Sequence, residues 1–591
     1  MRHASLTPSG RGLALALAIW AALAGAAEAQ TESVVQNVRF GSDAMSYEAP
    51  RVIVRGSALS QAELSRLLDP ASPEPWSDRL AKLDAEEILA PEVVATLKMP
   101  RIDQRTTYRD VSLKSVRGGR IATITAAGGS MEGTQQGRKV TSTNGPLSMQ
   151  DVDAGAALAL LSPAKGPAGP LRQIYGAFSM EAVRVTDSSG ITTQVGRMSG
   201  SGFSARPTAL GWTGTIEALG AAEAAKDDPA ALTRTMDSLA ELFEAFSIGT
   251  VEASDISMKG HVEKDDVDLD VKIARAGFTG AAAGRGGEMK VEDLDISAAG
   301  MRIRYGTLAF GGLNGNALVE TFRELAANPD HPGPALVRRL LPVISSIRIE
   351  NLDVQMPPGS SASGGEQPGR IGLGRFEIAA EKPINGIPTD LRFTIRNMSG
   401  PVSIASDQAG IAMLGELGYE RLDGSLGLNL GWNEPGQELV VRDISVDGKD
   451  MGTATLRGVI GRVSREVFNT DTAVASVALL SAAAKSIELV IEDRGLFERI
   501  VAREARRQKR APEDVRREYA MAASVGIPAV LGSGPAAKTL AQAVARFVAK
   551  PGKLTIQARA RQPGGFGLAD YMANPTPAGV LEAIDLTATA E

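Results

Sequence analysis

A six-residue pattern recurs along the chain: an apolar residue, a charged one, any residue, then apolar, any, apolar. Its copies occupy 108–113, 180–185, 251–256, 291–296, 349–354 and 441–446, with Val291-Glu292-Asp293-Leu294-Asp295-Ile296 the clearest and Ser254 a departure in the third. Side chains alternate between the two faces of a strand. Apolar residues spaced three and then two apart share one face only if the alternation slips between them, so each copy predicts a half-buried strand with an irregularity, such as a bulge, at its middle. Successive copies begin 72, 71, 40, 58 and 92 residues apart, which is too uneven for a solenoid or propeller repeat.

Helix-like runs lead repeatedly into strands: 239–246 into 248–256, 337–344 into 347–354, 474–484 into 487–491, and 540–548 into 554–556. In the first, Asp228 and Pro229 suit a helix start, and Leu232, Met236, Leu239, Leu242, Phe243 and Phe246 form a stripe for packing on a sheet. Between 424 and 460, Leu426, Leu428, Leu430 and Trp432 alternate with small or polar residues. The segment 433–436 turns the chain, 439–446 returns, and Asp447-Gly448 turns it again into a strand over 453–460.

These signals predict a β-dominated α+β protein of elongated, curved antiparallel meanders, with amphipathic helices packed on the apolar face. The expected divisions are an N-terminal β-rich region over 30–225, a middle helix-plus-sheet region over 226–405, and a C-terminal meander with helices over 406–591. The Gly-, Ser- and Pro-rich segments 280–287 and 357–369 read as loops.

Residues 1–29 have the three parts of a secretory signal: Arg2 and Arg11, an apolar run over 13–24, and Ala27-Glu28-Ala29, with cleavage expected after Ala29. Gln30 stands where a lipoprotein would carry cysteine. No later run reaches the ~18 consecutive apolar residues of a spanning helix, so a periplasmic protein without a transmembrane segment is expected. With 69 acidic and 63 basic residues the chain lacks the excess of a nucleic-acid binder, and with no cysteine it has neither disulfides nor thiolate sites.

Signals for chemistry are sparse, and no cofactor is expected. Of the three histidines, only His261 and His331 lie beyond the signal, 70 residues apart and without a zinc-motif spacing. Ser162 and Lys165 have Ser-x-x-Lys spacing, but Pro163 and the Gly/Pro-rich residues after them put the pair in a loop, and no Lys-Thr-Gly partner occurs. The acidic pairs Glu86-Glu87, Asp265-Asp266 and Asp293/Asp295 read as wet strand faces. Over 494–517, nine basic residues oppose Glu498, Glu504, Glu513 and Asp514. Arg499, Arg503, Arg506, Arg507, Lys509 and Arg510 are the candidate contacts for anionic lipid, and a solvated helix balanced by Glu–Arg pairs is the competing reading.

The helix-to-strand entries, the half-buried strands and Leu417-Gly418-Tyr419-Glu420-Arg421-Leu422 before the leucine-alternating meander resemble the AsmA-like and YdgA-like bacterial envelope proteins over roughly 170–590. That resemblance implies a long β-rich groove and a role in envelope maintenance or lipid handling. It carries over no site residues, and the cleavable signal departs from the membrane-anchored members. The expected function is therefore a non-catalytic exported envelope protein that binds phospholipid or an envelope protein through an apolar sheet face. A periplasmic hydrolase and an assembly or adhesion module are the alternatives.

Overall fold

The computed structural model describes residues 32–41, 45–99, 102–135, 137–164, 166, 169–224, 229–262, 266–281, 286–327, 344–358, 369–402 and 409–591. The signal segment, Lys165, Asp228, His331, Asp265 and 337–343 lie outside them.

The chain is β-dominated, and its strands form a single antiparallel sheet. Glu32–Gly41 pairs with Met45–Arg55, that strand with Ala85–Met99, and that with Ile102–Arg117. Arg120–Ala126 and Gly128–Gln135 continue one register against Ile102–Arg117, and Arg138–Asn144 and Leu147–Asp153 do the same in the next position. Arg172–Asp187 follows and pairs with Thr192–Ala205. The ladder then runs strand by strand in chain order to Ala483–Asp493, Lys553–Ala560 and finally Ile584–Ala590. It is thus one extended meander, and pairing crosses both expected internal boundaries: Thr192–Ala205 bonds to Thr250–Val262, and Ile387–Pro401 to Arg421–Asn433.

The recurring pattern has a backbone cause. Its middle residues Asp110, Ala182, Asp293 and Asn351 are left-handed at φ 52°, 48°, 50° and 54°, and the irregular third copy is left-handed at Asp255, φ 53°. In the sixth copy the register shifts between Val441 and Ile444 instead. Asp and Asn tolerate this conformation better than most residues. The left-handed residues align across neighbouring strands. Ala182 faces Gly196, Gly196 faces Asp255, and the row continues through Ala274, Asp293, Gly306, Asn351 and Gly374 to Asn397, φ 51°. Nine strands therefore share one crease in which left-handed residues alternate with Gly or Ala. On both sides of it apolar residues oppose apolar ones, as Val291 opposes Leu308 and Leu294 opposes Tyr305. Charged residues oppose charged ones, as Glu292 does Arg275. The crease keeps one face apolar through the slip in alternation, while ion pairs such as Arg275–Glu252 at 3.6 Å line the other.

Strand direction alternates, so every insertion after a descending strand emerges at the same end. Helices Gln61–Leu67, Trp76–Leu80, Ala154–Ala159, Gly211–Ala224, Pro229–Glu244, Gly315–Ala327 and Thr472–Leu480 lie there. Ala409–Glu416 and the trio Leu496–Gln508, Pro512–Leu531 and Pro535–Ala549 follow ascending strands and lie at the opposite end. The helices meet the sheet unevenly, and the stripe over 229–246 reaches it through Phe246, which pairs with Ala205 and lies 5.8 Å from Phe243. Pro229–Glu244 packs against Gly315–Ala327, through the Phe243–Phe322 contact at 5.7 Å and the Arg323–Glu244 ion pair at 2.8 Å. Thr472–Leu480 leaves Val477, Leu479 and Leu480 mostly exposed. The helix over 540–548 is realised as Pro535–Ala549, which packs on the final strand and buries Ala537, Ala541 and Val548.

Candidate functional site: an apolar cavity and an open sheet face

At the N-terminal end the sheet curls around its helices. Helix Gln61–Leu67 starts on a capping box, in which Ser60 and Glu63 satisfy each other's backbone amides, and it drives Leu64 into the core. Arg79, 2% exposed, donates to the carbonyls of Leu67 and Asp69 at 3.1 and 2.7 Å and stacks on Trp76, which fixes the following turn. Val54, Leu68, Leu83, Ala85, Val116 and Val152 complete this core.

Between the helices and the curled strands lies a cavity of about 600 Å³. Phe40, Tyr47, Trp76, Tyr108, Met149 and Phe178 are prominent in its wall, and none of the described residues that line it is charged. Phe40 stacks on Tyr47 with centroids 4.9 Å apart and tilts against Trp76 at 5.4 Å. Burial pushes the phenols of Tyr47 and Tyr108 above their ordinary range, and for Tyr47 the neighbouring Tyr108 adds to it. Such a wall offers dispersion and water exclusion with no group to neutralise a ligand charge, and the volume falls within the ~300–1,000 Å³ of small-molecule sites.

Beyond the cavity the apolar face stays largely uncovered. Among described residues, the strands between 250 and 461 contribute only Ala309, Met356 and Ala379 to the buried apolar side chains. Met289, Ile371, Leu426, Ile444 and Ile487 are exposed on strands. A second apolar hollow, about 430 Å³, opens where Ile395, Leu426, Val446 and Met451 meet Leu414 and Leu496 at the opposite end of the sheet.

The basic segment forms helix Leu496–Gln508, capped by left-handed Lys509 at φ 53°. Its six candidate residues have different roles. Arg499 donates to the carbonyls of Leu417 and Gly418 at 3.1 and 2.9 Å and stacks on Tyr419, 4.1 Å from the ring centre. Arg503 pairs with Glu416, so these two arginines bind the helix to the segment before the leucine-rich meander. Arg507 pairs with Glu504 at 2.7 Å, and Arg510 with Glu518. Arg506 and Lys509 are exposed.

The other sequence candidates do not converge. Exposed Ser162 follows helix Ala154–Ala159. His261 lies 3.0 Å from Asp268 on a strand. Asp293 belongs to the crease, and Asp295 is held below the usual carboxylate range by the hydrogen bond from Arg302, against the opposing effect of burial. No group of three His, Asp or Glu side chains among the described residues is placed to hold a metal ion. The cavity escaped sequence analysis because its wall is assembled from five or more strands and two helix segments. Its one local signal is the aromatic pair Phe40 and Tyr47, which face each other on adjacent strands.

A family model described only as an uncharacterized protein matches residues 445–591. No curated protein and no solved structure matches the chain.

Proposed function

We propose that this chain is a non-catalytic exported protein of the bacterial envelope that binds the hydrocarbon chain of a lipid in its N-terminal cavity. The observation that carries this reading is the uncharged cavity of about 600 Å³ beneath the curled strands. Each methylene moved there from water contributes about 0.8 kcal/mol, so about ten contribute ~8 kcal/mol, set against an association cost of ~4–15 kcal/mol. The balance favours a long chain over a short one and leaves the head group at the mouth or in solvent, since the wall holds no counter-charge. The open apolar face supports the same role as a surface on which a chain is shielded, and exposed Arg506 and Lys509 are suited to an anionic membrane surface. The signal segment supports the periplasmic setting. No helix among the described residues is long and apolar enough to cross a membrane.

The test is extraction of the protein purified from its native envelope, followed by mass spectrometry and displacement of a fluorescent fatty acid. Stoichiometric lipid, lost on Ala126→Phe, supports the reading. Lipid-free protein that takes up no probe refutes it.

A further inference from the structure

The two outer strands of the sheet are finished differently. On Glu32–Gly41, the Gln61 side chain occupies the outward backbone groups of Val34: its Oε1 accepts the Val34 N–H at 2.9 Å and its Nε2 donates to the Val34 carbonyl at 2.5 Å. That edge is plugged. On Ile584–Ala590, Lys553 and Glu591 exchange both backbone hydrogen bonds, at 3.1 and 2.9 Å, and Arg561 donates to the Ala583 carbonyl at 3.0 Å. Inward bonding therefore falls on the odd-numbered residues. The N–H and C=O groups of Ile584, Leu586, Ala588 and Ala590 point away from the sheet, with no hydrogen-bond partner among the described residues. The edge carries no Pro, no Lys and no bulge, and its one charge, Asp585, is paired with Arg561.

We infer that Ile584–Ala590 pairs antiparallel with the same strand of a second copy about a two-fold axis at Thr587. The sequence suits its own reverse. With Thr587 opposite Thr587, Leu586 meets the second copy's Ala588 and Ile584 its Ala590, apolar against apolar on the face that helix Pro535–Ala549 covers. On the other face Asp585 meets Thr589 instead of a second Asp585, and Arg561 already neutralises it at 3.0 Å. Threonine opposite threonine is a favourable cross-strand pair. All four outward residues then fall at hydrogen-bonded positions, so every free edge group gains a partner. A two-fold contact uses the same strand of both copies and so closes on itself as a dimer, while on the other edge Gln61 occupies the backbone groups of Val34.

The chain has no cysteine, so single cysteines report this register directly. Thr587 would sit at a non-hydrogen-bonded position about 4.5 Å, Cα to Cα, from its mate, within the ~4.4–6.8 Å that a disulfide spans. Under mild oxidation of the full chain, Thr587→Cys should form a covalent dimer and Asp585→Cys alone should not. A mixture of Asp585→Cys and Thr589→Cys chains should cross-link to each other. Sedimentation should give twice the chain mass for the unmodified protein and one chain mass for Leu586→Pro, which removes an outward N–H and no internal bond. A monomer at tens of micromolar, a Leu586→Pro variant that stays dimeric, equal cross-linking by Asp585→Cys alone, or a Thr587→Cys cross-link to a different protein would each overturn the inference.

Discussion

Gly196 lies directly across from Asp255, and a Cβ at Gly196 would stand 2.8 Å from the Asp255 Cβ. The same clash recurs along the crease, where a Cβ at Gly306 would be 3.1 Å from that of Asn351, and one at Gly374 3.1 Å from that of Asn397. The left-handed residues and the glycines facing them are thus one device, spread over successive strands. It flips the alternation and keeps apolar side chains on one face.

Ala182 occupies this row at φ 48° without the polar side chain that eases the conformation elsewhere. Ala182→Gly is expected to raise stability by about 1 kcal/mol, since the left-handed region costs a residue with a Cβ ~1–2 kcal/mol. Gly196→Ala is expected to lower it by about 1–3 kcal/mol through overpacking. Urea unfolding of both variants checks the pair; equal effects of one sign would show that the crease is not what these positions support.

The crease was legible in the sequence as the slip inside the repeated pattern, and the three strands over 424–460 were legible from the alternation of Leu426 to Trp432 and the turns that follow it. The partners of the helices were not. The stripe Met236, Leu239, Phe243 specifies an apolar contact, but whether it meets a sheet or helix Gly315–Ala327 depends on which strand direction precedes each insertion. That is a property of the whole meander and not of the window read. The same holds for the basic segment: its composition announces charge, while Arg499 and Arg503 find their partners at Gly418 and Glu416, some 80 residues away.

Arg442 reaches over the strand Arg421–Asn433 to grip Asp390, with Nη1 donating to Oδ1 at 3.1 Å and Nη2 to Oδ2 at 3.2 Å. Gly431 makes the passage, since a Cβ there would lie 2.1 Å from Nη2. The hydrogen bond from Arg442 holds Asp390 below the usual carboxylate range, against the opposing effect of burial. A depressed folded-state value means stability that is present above the ordinary carboxylate range near pH 4 and lost as pH falls through the folded value. Arg442→Met is expected to cost about 1 kcal/mol at pH 7, at the low end because the arginine is partly open to solvent, and the gap should narrow below about pH 4. Thermal melts from pH 3 to 7 read it.

Exposed Arg506 and Lys509 are the basic-helix residues free to approach a membrane, whereas Arg499 and Arg503 bind the helix to its neighbour. Charge reversal at Arg506 and Lys509 is expected to weaken binding to anionic vesicles several-fold without changing the melting temperature. Arg503→Glu is expected to lower the melting temperature by placing a second carboxylate beside Glu416. Vesicle flotation at low and high salt separates the two; unchanged flotation for the reversed pair would remove the helix from any membrane role.

The central claim is that the cavity under Phe40, Trp76 and Met149 holds a hydrocarbon chain, and native mass spectrometry of the full-length protein beside Met149→Asp tests it most directly. A lipid adduct near one per chain is predicted for the unmodified protein and its loss for the variant, because an unpaired carboxylate in that wall has no partner to offset its desolvation. A bare protein peak, or an adduct that persists unchanged in a folded Met149→Asp variant, would contradict the account.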